Sequence, residues 1–146
     1  MFIEAPMRIL DAEIIKYAGE TEFEGQMYDL VFATWGKEEN HKEHDQYLIY
    51  INQETGFIDL MQVTINDFFL PMPGNMKDAT ICTERLEVDG IQLPSMVYIQ
   101  LGTPKQTKKH VYKFSLYDWK FDAVQVRDIY PIENLDKVGD DKEQKD

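Results

Sequence analysis

The densest set of side chains able to do chemistry is the run Glu38, Glu39, His41, Glu43, His44 and Asp45. Imidazoles and carboxylates are ordinary ligands for divalent ions. Their spacing here matches no metal-binding pattern, and they follow Gly36 in a charged stretch, so they read as a solvated hairpin tip and not as a metal site. Cys82 is the only cysteine, which rules out an intramolecular disulfide and a cysteine-based zinc site. It lies in an alternating strand pattern and reads as a small buried hydrophobe rather than a nucleophile. Acid–base chemistry would need carboxylates in an enclosed site. Asp29, Asp59, Glu84 and Asp118 fall within strand patterns and are the only candidates; each reads as a solvent-face residue or as a partner for Arg85 or Arg127. No nucleophile elbow, phosphate loop or cofactor fingerprint is present. The expectation is a protein that is not an enzyme, with no catalytic residue, no metal and no cofactor.

The elements that would position these groups are strands. The stretch Tyr28–Thr64 carries three runs rich in Val, Ile, Tyr, Phe, Trp and Thr, residues that fit a pleated, half-buried surface. Between the second and third, Asn52-Gln53-Glu54-Thr55-Gly56 is short, polar and ends in Gly, as a tight hairpin requires. Strands are predicted over Ile9–Tyr17, Gln26–Trp35, Gln46–Asn52, Phe57–Ile65, Ala79–Val88, Ile91–Leu101, Val111–Trp119 and Ala123–Ile129, with Ala18–Gly25 as a connection. Asp89-Gly90 marks a two-residue hairpin. In the first long strand Tyr28, Leu30 and Phe32 share one face, while Met27, Val31, Ala33 and Trp35 share the other. Asp59 interrupts an apolar face formed by Phe57, Met61, Val63 and Ile65, and Ile91, Leu93, Val97, Ile99 and Leu101 line one face of a later strand. Phe68-Phe69-Leu70-Pro71-Met72-Pro73 is apolar, yet its prolines exclude a central strand; it reads as a covering loop.

With short connections and no amphipathic helix, the pattern predicts an all-β fold: a strongly curved, half-barrel-like antiparallel meander of about seven or eight strands. Residues 1–131 form one domain, and the charged stretch 132–146 is expected to be a disordered tail. Formal net charge is −12 and the isoelectric point is about 4.6, so the surface opposes phosphate backbones, and nucleic acid is not an expected partner. The basic cluster Lys105–His110 reads as a hairpin tip. No run approaches the length of a membrane span, and the start has neither the basic region nor the apolar core of a signal peptide.

Three segments carry a family likeness: Tyr28-Asp-Leu-Val-Phe-Ala-Thr-Trp35, Tyr47-Leu-Ile-Tyr-Ile-Asn-Gln-Glu-Thr-Gly56 and Val88-Asp-Gly-Ile-Gln-Leu-Pro94. Over residues 10–131 the chain resembles the barrel portion of the outer-membrane lipoprotein carrier superfamily, nearest to its uncharacterised envelope members of the Bacteroidetes. The family's N-terminal helix and first strands have no counterpart here. The resemblance implies a half-open curved sheet that holds an acyl chain or other apolar group, lipid or lipoprotein, on its concave face without chemistry. It implies a cell-envelope or periplasmic location with an export signal trimmed away; apart from the resemblance, the reading is cytoplasmic. The expected ligand-binding residues are Tyr28, Leu30, Phe32, Trp35, Tyr50, Phe68, Phe69 and Leu70, with the last three forming a flap. The alternative is a structural or protein-interaction domain whose apolar face is covered by a second copy or by a partner protein. Strands apolar on both sides, with no helix to cover the second, favour a homodimer.

Calorimetric titration with zinc is expected to show no binding beyond adventitious levels; a sub-micromolar site lost on His41→Ala and His44→Ala would overturn the reading of the charged loop.

Overall fold

The computed structural model describes residues 9–39, 43–66, 78–106 and 108–121. The Phe68–Leu70 flap, the Ala123–Ile129 strand and the 132–146 tail expected from the sequence lie outside those residues. Seven strands run in chain order: β1 (Ile14–Phe23), β2 (Gln26–Thr34), β3 (Gln46–Asn52), β4 (Ile58–Thr64), β5 (Asp78–Val88), β6 (Ile91–Leu101) and β7 (Tyr112–Ser115). Each pairs antiparallel with its chain neighbours in one sheet, the expected all-β meander. Among the described residues the sheet is not closed into a barrel, and β1 and β7 are its two edges. No helix among the described residues is long and apolar enough to cross a membrane.

Turn chemistry sets the register. Glu24-Gly25 (φ 50° and 79°) and Asp89-Gly90 (φ 52° and 80°) both have two positive φ angles, the two-residue geometry whose twist matches that of the strands it joins. The β3–β4 turn is held by Asn52. Its side-chain Oδ1 accepts from the backbone N–H groups of Glu54 (2.9 Å) and Thr55 (3.2 Å), and its carbonyl accepts from Gly56 N–H (2.8 Å). Gly56 sits at φ 72°, where a side chain would be strained.

Three stretches differ from expectation. Ile9–Tyr17 is not one strand: Ala12 N–H closes a turn onto the Ile9 carbonyl (3.1 Å), and β1 starts at Ile14. Ala18–Phe23 is not a connection but the second half of β1, and the turn is only Glu24-Gly25. Gly19 marks a bulge there, with a shift of register between Tyr17 and Gly19. The Val111–Trp119 run yields only the four residues of β7, and Asp118 beyond it adopts φ 58°, outside strand geometry.

Two further bulges reassign faces. β4 carries Asp59 as an extra residue between Ile58, opposite Ile51, and Leu60, opposite Tyr50. Ile58 therefore joins Met61 and Val63 in one apolar cluster. β6 carries Ser95 as an extra residue between Pro94, opposite Arg85, and Met96, opposite Glu84. Ile91 and Leu93 consequently leave the face of Val97 and Ile99, because a one-residue slip reverses every side chain beyond it.

Both faces of the sheet are apolar, as the sequence indicates. One carries Ala33, Ile49, Met61, Ile81 and Val97, with Ile9, Ala12 and Leu116 packed on it from outside the strands. The other carries Tyr28, Tyr50, Leu60, Cys82 and Tyr98. Leu60 is 2% exposed and lies opposite Tyr50 on one side and Cys82 on the other. Leu60→Ala is expected to destabilise the fold by about 2–5 kcal/mol. Urea unfolding checks this; a midpoint equal to wild type would show that the second face is not a packed core.

Candidate functional site: the tyrosine face and the cleft at its end

The second apolar face is organised as a row. Cross-strand pairing aligns Leu30, Tyr50, Leu60, Cys82, Tyr98 and Lys113 across β2 to β7. Tyr28 stands beside Tyr50 edge to face, with ring centroids 6.0 Å apart at 72°. Tyr50, Leu60, Cys82 and Tyr98 are buried, while Leu30, Leu48 and Met96 are half-buried around them. Among the described residues, every apolar side chain in this cluster belongs to the sheet itself, unlike the opposite face, where Ile9, Ala12 and Leu116 contribute.

The row is apolar but not inert. The Tyr50 hydroxyl donates to Gln62 Oε1 (2.9 Å). Burial pushes the Tyr50 phenol above its ordinary value. It does the same to Tyr28, where the nearby Asp59 charge adds to the effect. Burial raises the Cys82 thiol to about 11, against a smaller opposing effect of the Gln100 amide, whose Nε2 lies 3.4 Å from Sγ. A thiol held protonated is neither a nucleophile nor a metal ligand.

At the end of the sheet where the tight turns gather, the row opens into a cleft of about 580 Å³. Tyr28 and Leu60 line it together with Asn52, Phe57, Asp59, Glu84 and Arg85. The bulge at Asp59 supplies the central contact. Asp59 Oδ1 accepts from Arg85 Nη1 (2.8 Å), and Oδ2 accepts from Asn52 Nδ2 (3.0 Å). Arg85 also donates to the Ile58 carbonyl and lies over the Phe57 ring, 5.3 Å from its centroid. Both charged side chains are largely withdrawn from water, with 20% exposure for Arg85 and 28% for Asp59. The pairing of Asp59 with Arg85 is one of the two roles the sequence allowed for it. Both carboxylate oxygens of Asp59 accept from a neighbour, so the network reads as a fixed wall rather than as an acid–base pair.

The residues expected to bind a ligand divide. Tyr28, Leu30 and Tyr50 come together on the tyrosine face. Phe32, half-buried and opposite Leu48, lies on the same face by register. Trp35 does not: its ring packs edge to face on Tyr47, which belongs to the opposite cluster, and its Nε1 donates to the Asp11 carbonyl (3.2 Å). It fastens the segment before β1 rather than lining the row. Phe68, Phe69 and Leu70 lie outside the described residues. Leu60, Cys82 and Tyr98, which complete the row, were not among the expected residues; their signal was cross-strand register, which needs the bulges to be counted. Of the charged loop, Glu38 is engaged by Lys16 and Glu43 by Lys37 (3.6 Å). Among the described residues no group of His, Cys, Asp and Glu is placed to hold a metal ion.

Compared with protein-family models, curated proteins and solved structures, the chain has no match.

The raised thiol and phenols predict an alkaline effect with a definite sign. The unfolded Cys82 loses its proton near pH 9, whereas the folded thiol keeps it to about 11. The native state thus holds more protons in that window, and stability falls as pH rises through it. A melting temperature that drops between these values, less steeply in Cys82→Ala, is the expected result. A thiol reagent that labels the folded protein below pH 9 as fast as the urea-unfolded chain would contradict it.

Proposed function

We propose that the chain is a non-catalytic binding module that holds an acyl chain or comparable apolar group against the tyrosine face, entering at the Asp59–Arg85 cleft. The observation that carries this reading is the composition of the second cluster: apolar, drawn among the described residues from the sheet alone, and continuous through Tyr28 and Leu60 with the lining of a cleft. The opposite face has Ile9, Ala12 and Leu116 to pack on it and needs no ligand. Binding sites for small apolar molecules are concave, largely apolar and edged by a few oriented polar groups, and cavities of this size are within their range. The bulges at Gly19, Asp59 and Ser95 add bend and twist to the sheet. On this reading the tyrosine face is the inside of that bend. The resemblance to the lipoprotein carrier superfamily points the same way and brings an envelope location with it.

The chemistry of the site supports binding without turnover. Asp59 in the cleft is committed to Arg85 and Asn52, and the one thiol is buried, which favours its protonated form. A ligand would gain from desolvating the half-buried Leu30, Phe32, Leu48 and Met96, at about 25 cal/mol per Å² of apolar surface covered.

Native mass spectrometry of freshly purified protein tests the reading, with titration of palmitate as the added probe. A retained or added lipid mass is expected, and Leu48→Glu, which puts a charge on the half-buried part of the face, should reduce retention at least roughly tenfold, the equivalent of 1.4 kcal/mol. Protein that carries no lipid and takes up no palmitate, while melting cooperatively, would overturn it.

A further inference from the structure

Among the described residues β1 and β7 are the edges of the sheet, and they carry opposite charge. From Asp11 to Glu24, across β1, there are five acidic residues (Asp11, Glu13, Glu20, Glu22, Glu24) and one lysine, Lys16. From Lys105 to Lys120, across β7, there are five lysines (Lys105, Lys108, Lys109, Lys113, Lys120) and one acid, Asp118. The second stretch is a local reversal in a chain of net charge −12. Both edges also expose large apolar side chains: Ile15 and Tyr17 on β1 at 47% and 64%, and Tyr112 on β7 at 58%. All four residues of β7 are exposed, and Glu20 and Glu22 of β1 are exposed as well.

We infer that β7 of one molecule pairs with β1 of a second copy, extending the sheet from chain to chain. An edge strand presents a row of backbone donors and acceptors that another strand can complete. Ordinary defences of an edge are charge and shortness; here the charge on each edge is matched by its opposite on the other. With β7 antiparallel to β1, Lys113 opposite Glu20 sets Lys109, just before β7, toward Glu24, with Glu22 on the diagonal between them, while like edges would repel: β7 on β7 sets lysines together, and β1 on β1 sets glutamates together. Opposite charges across paired strands favour a register and like charges oppose it. The contact is therefore head to tail, and it closes into a ring or runs on as a filament according to the rotation between copies. It uses the edges and not the tyrosine face, so it stands apart from the ligand reading.

Salt separates this contact from a twofold apolar one. Two copies of net charge −12 repel at long range, but that repulsion acts across a whole domain and is largely screened above about 0.1 M salt, where the Debye length is about 10 Å. The edge charges meet within that length. Above about 0.1 M, added salt should therefore weaken association, whereas a purely apolar dimer of an acidic protein would tighten.

The experiment is sedimentation velocity of the full chain from about 0.1 to 1 M salt, with two charge-reversed variants. One carries Lys109→Glu and Lys113→Glu, the other Glu20→Lys and Glu22→Lys. Self-association of the wild type is expected to fall roughly tenfold or more across the series. Each variant alone should be monomeric, and an equimolar mixture should associate again, since each then offers the edge the other needs. Circular dichroism melting of each variant shows that the loss is not unfolding. A wild type that is monomeric throughout, association that tightens with salt, variants that still self-associate, or a mixture that stays monomeric would each overturn the inference. So would binding of the lysine-rich edge to anionic phosphatidylserine vesicles with no copy-to-copy contact at any salt.

Discussion

Asn52 is the residue through which turn, bulge and cleft depend on one another. Its backbone N–H donates to the Phe57 carbonyl (2.9 Å), its own carbonyl and its side-chain oxygen take three amide protons of the turn, and its side-chain nitrogen reaches Asp59. It is also buried, at 6% exposure. A buried amide is tolerated only when its hydrogen bonds are made, and those of Asn52 tie the turn to the bulge at Asp59, whose other carboxylate oxygen holds Arg85. The Asp59 bulge in turn decides which face Leu60 and Met61 present. A polar group at the end of one strand thus sets the apolar faces of the middle of the sheet.

The same device recurs at the other loops. Thr34 Oγ1 donates to the Asp45 carbonyl (3.2 Å) across the β2–β3 connection. Thr80 Oγ1 donates to Gly102 O (2.6 Å), and Gln100 Nε2 donates to Gln106 O (2.5 Å) in the β6–β7 connection. Thr34, Thr80 and Gln100 are all buried. Among the described residues, no buried side-chain nitrogen or oxygen lacks a partner. An antiparallel meander has only local connections, and these side chains pin each loop to the strand end where it begins or returns.

Among the described residues, an open sheet with two apolar faces and two edges has more surface to hide than elements to hide it with. Flanking segments pack on one face. Bend introduced by the bulges, a ligand, or both can serve the other, and the edges are separated from like edges by charge.

Much of this was legible in the sequence. Alternation of β-branched and aromatic residues determined five of the strands to within a residue or two, and Asp89-Gly90 and Asn52–Gly56 determined their turns, because local sterics and backbone hydrogen bonds act over a few residues. The two-sided apolar character and the buried, unreactive Cys82 were also readable. Only the tertiary structure decided the faces. Gly19, Asp59 and Ser95 look like a turn residue, a stray charge and a polar interruption, and they are bulges because a neighbouring strand is held in register on either side of them. Alternation already set Trp35 on the face opposite Tyr28, Leu30 and Phe32; the structure adds that Tyr47 and the Asp11 carbonyl receive it there. Tyr98 and Cys82 become neighbours of Leu60 only through pairing across three strands. Local preference sets where a chain extends, but a slip of one residue reverses a face at no local cost, and contacts with the next strand choose between the two.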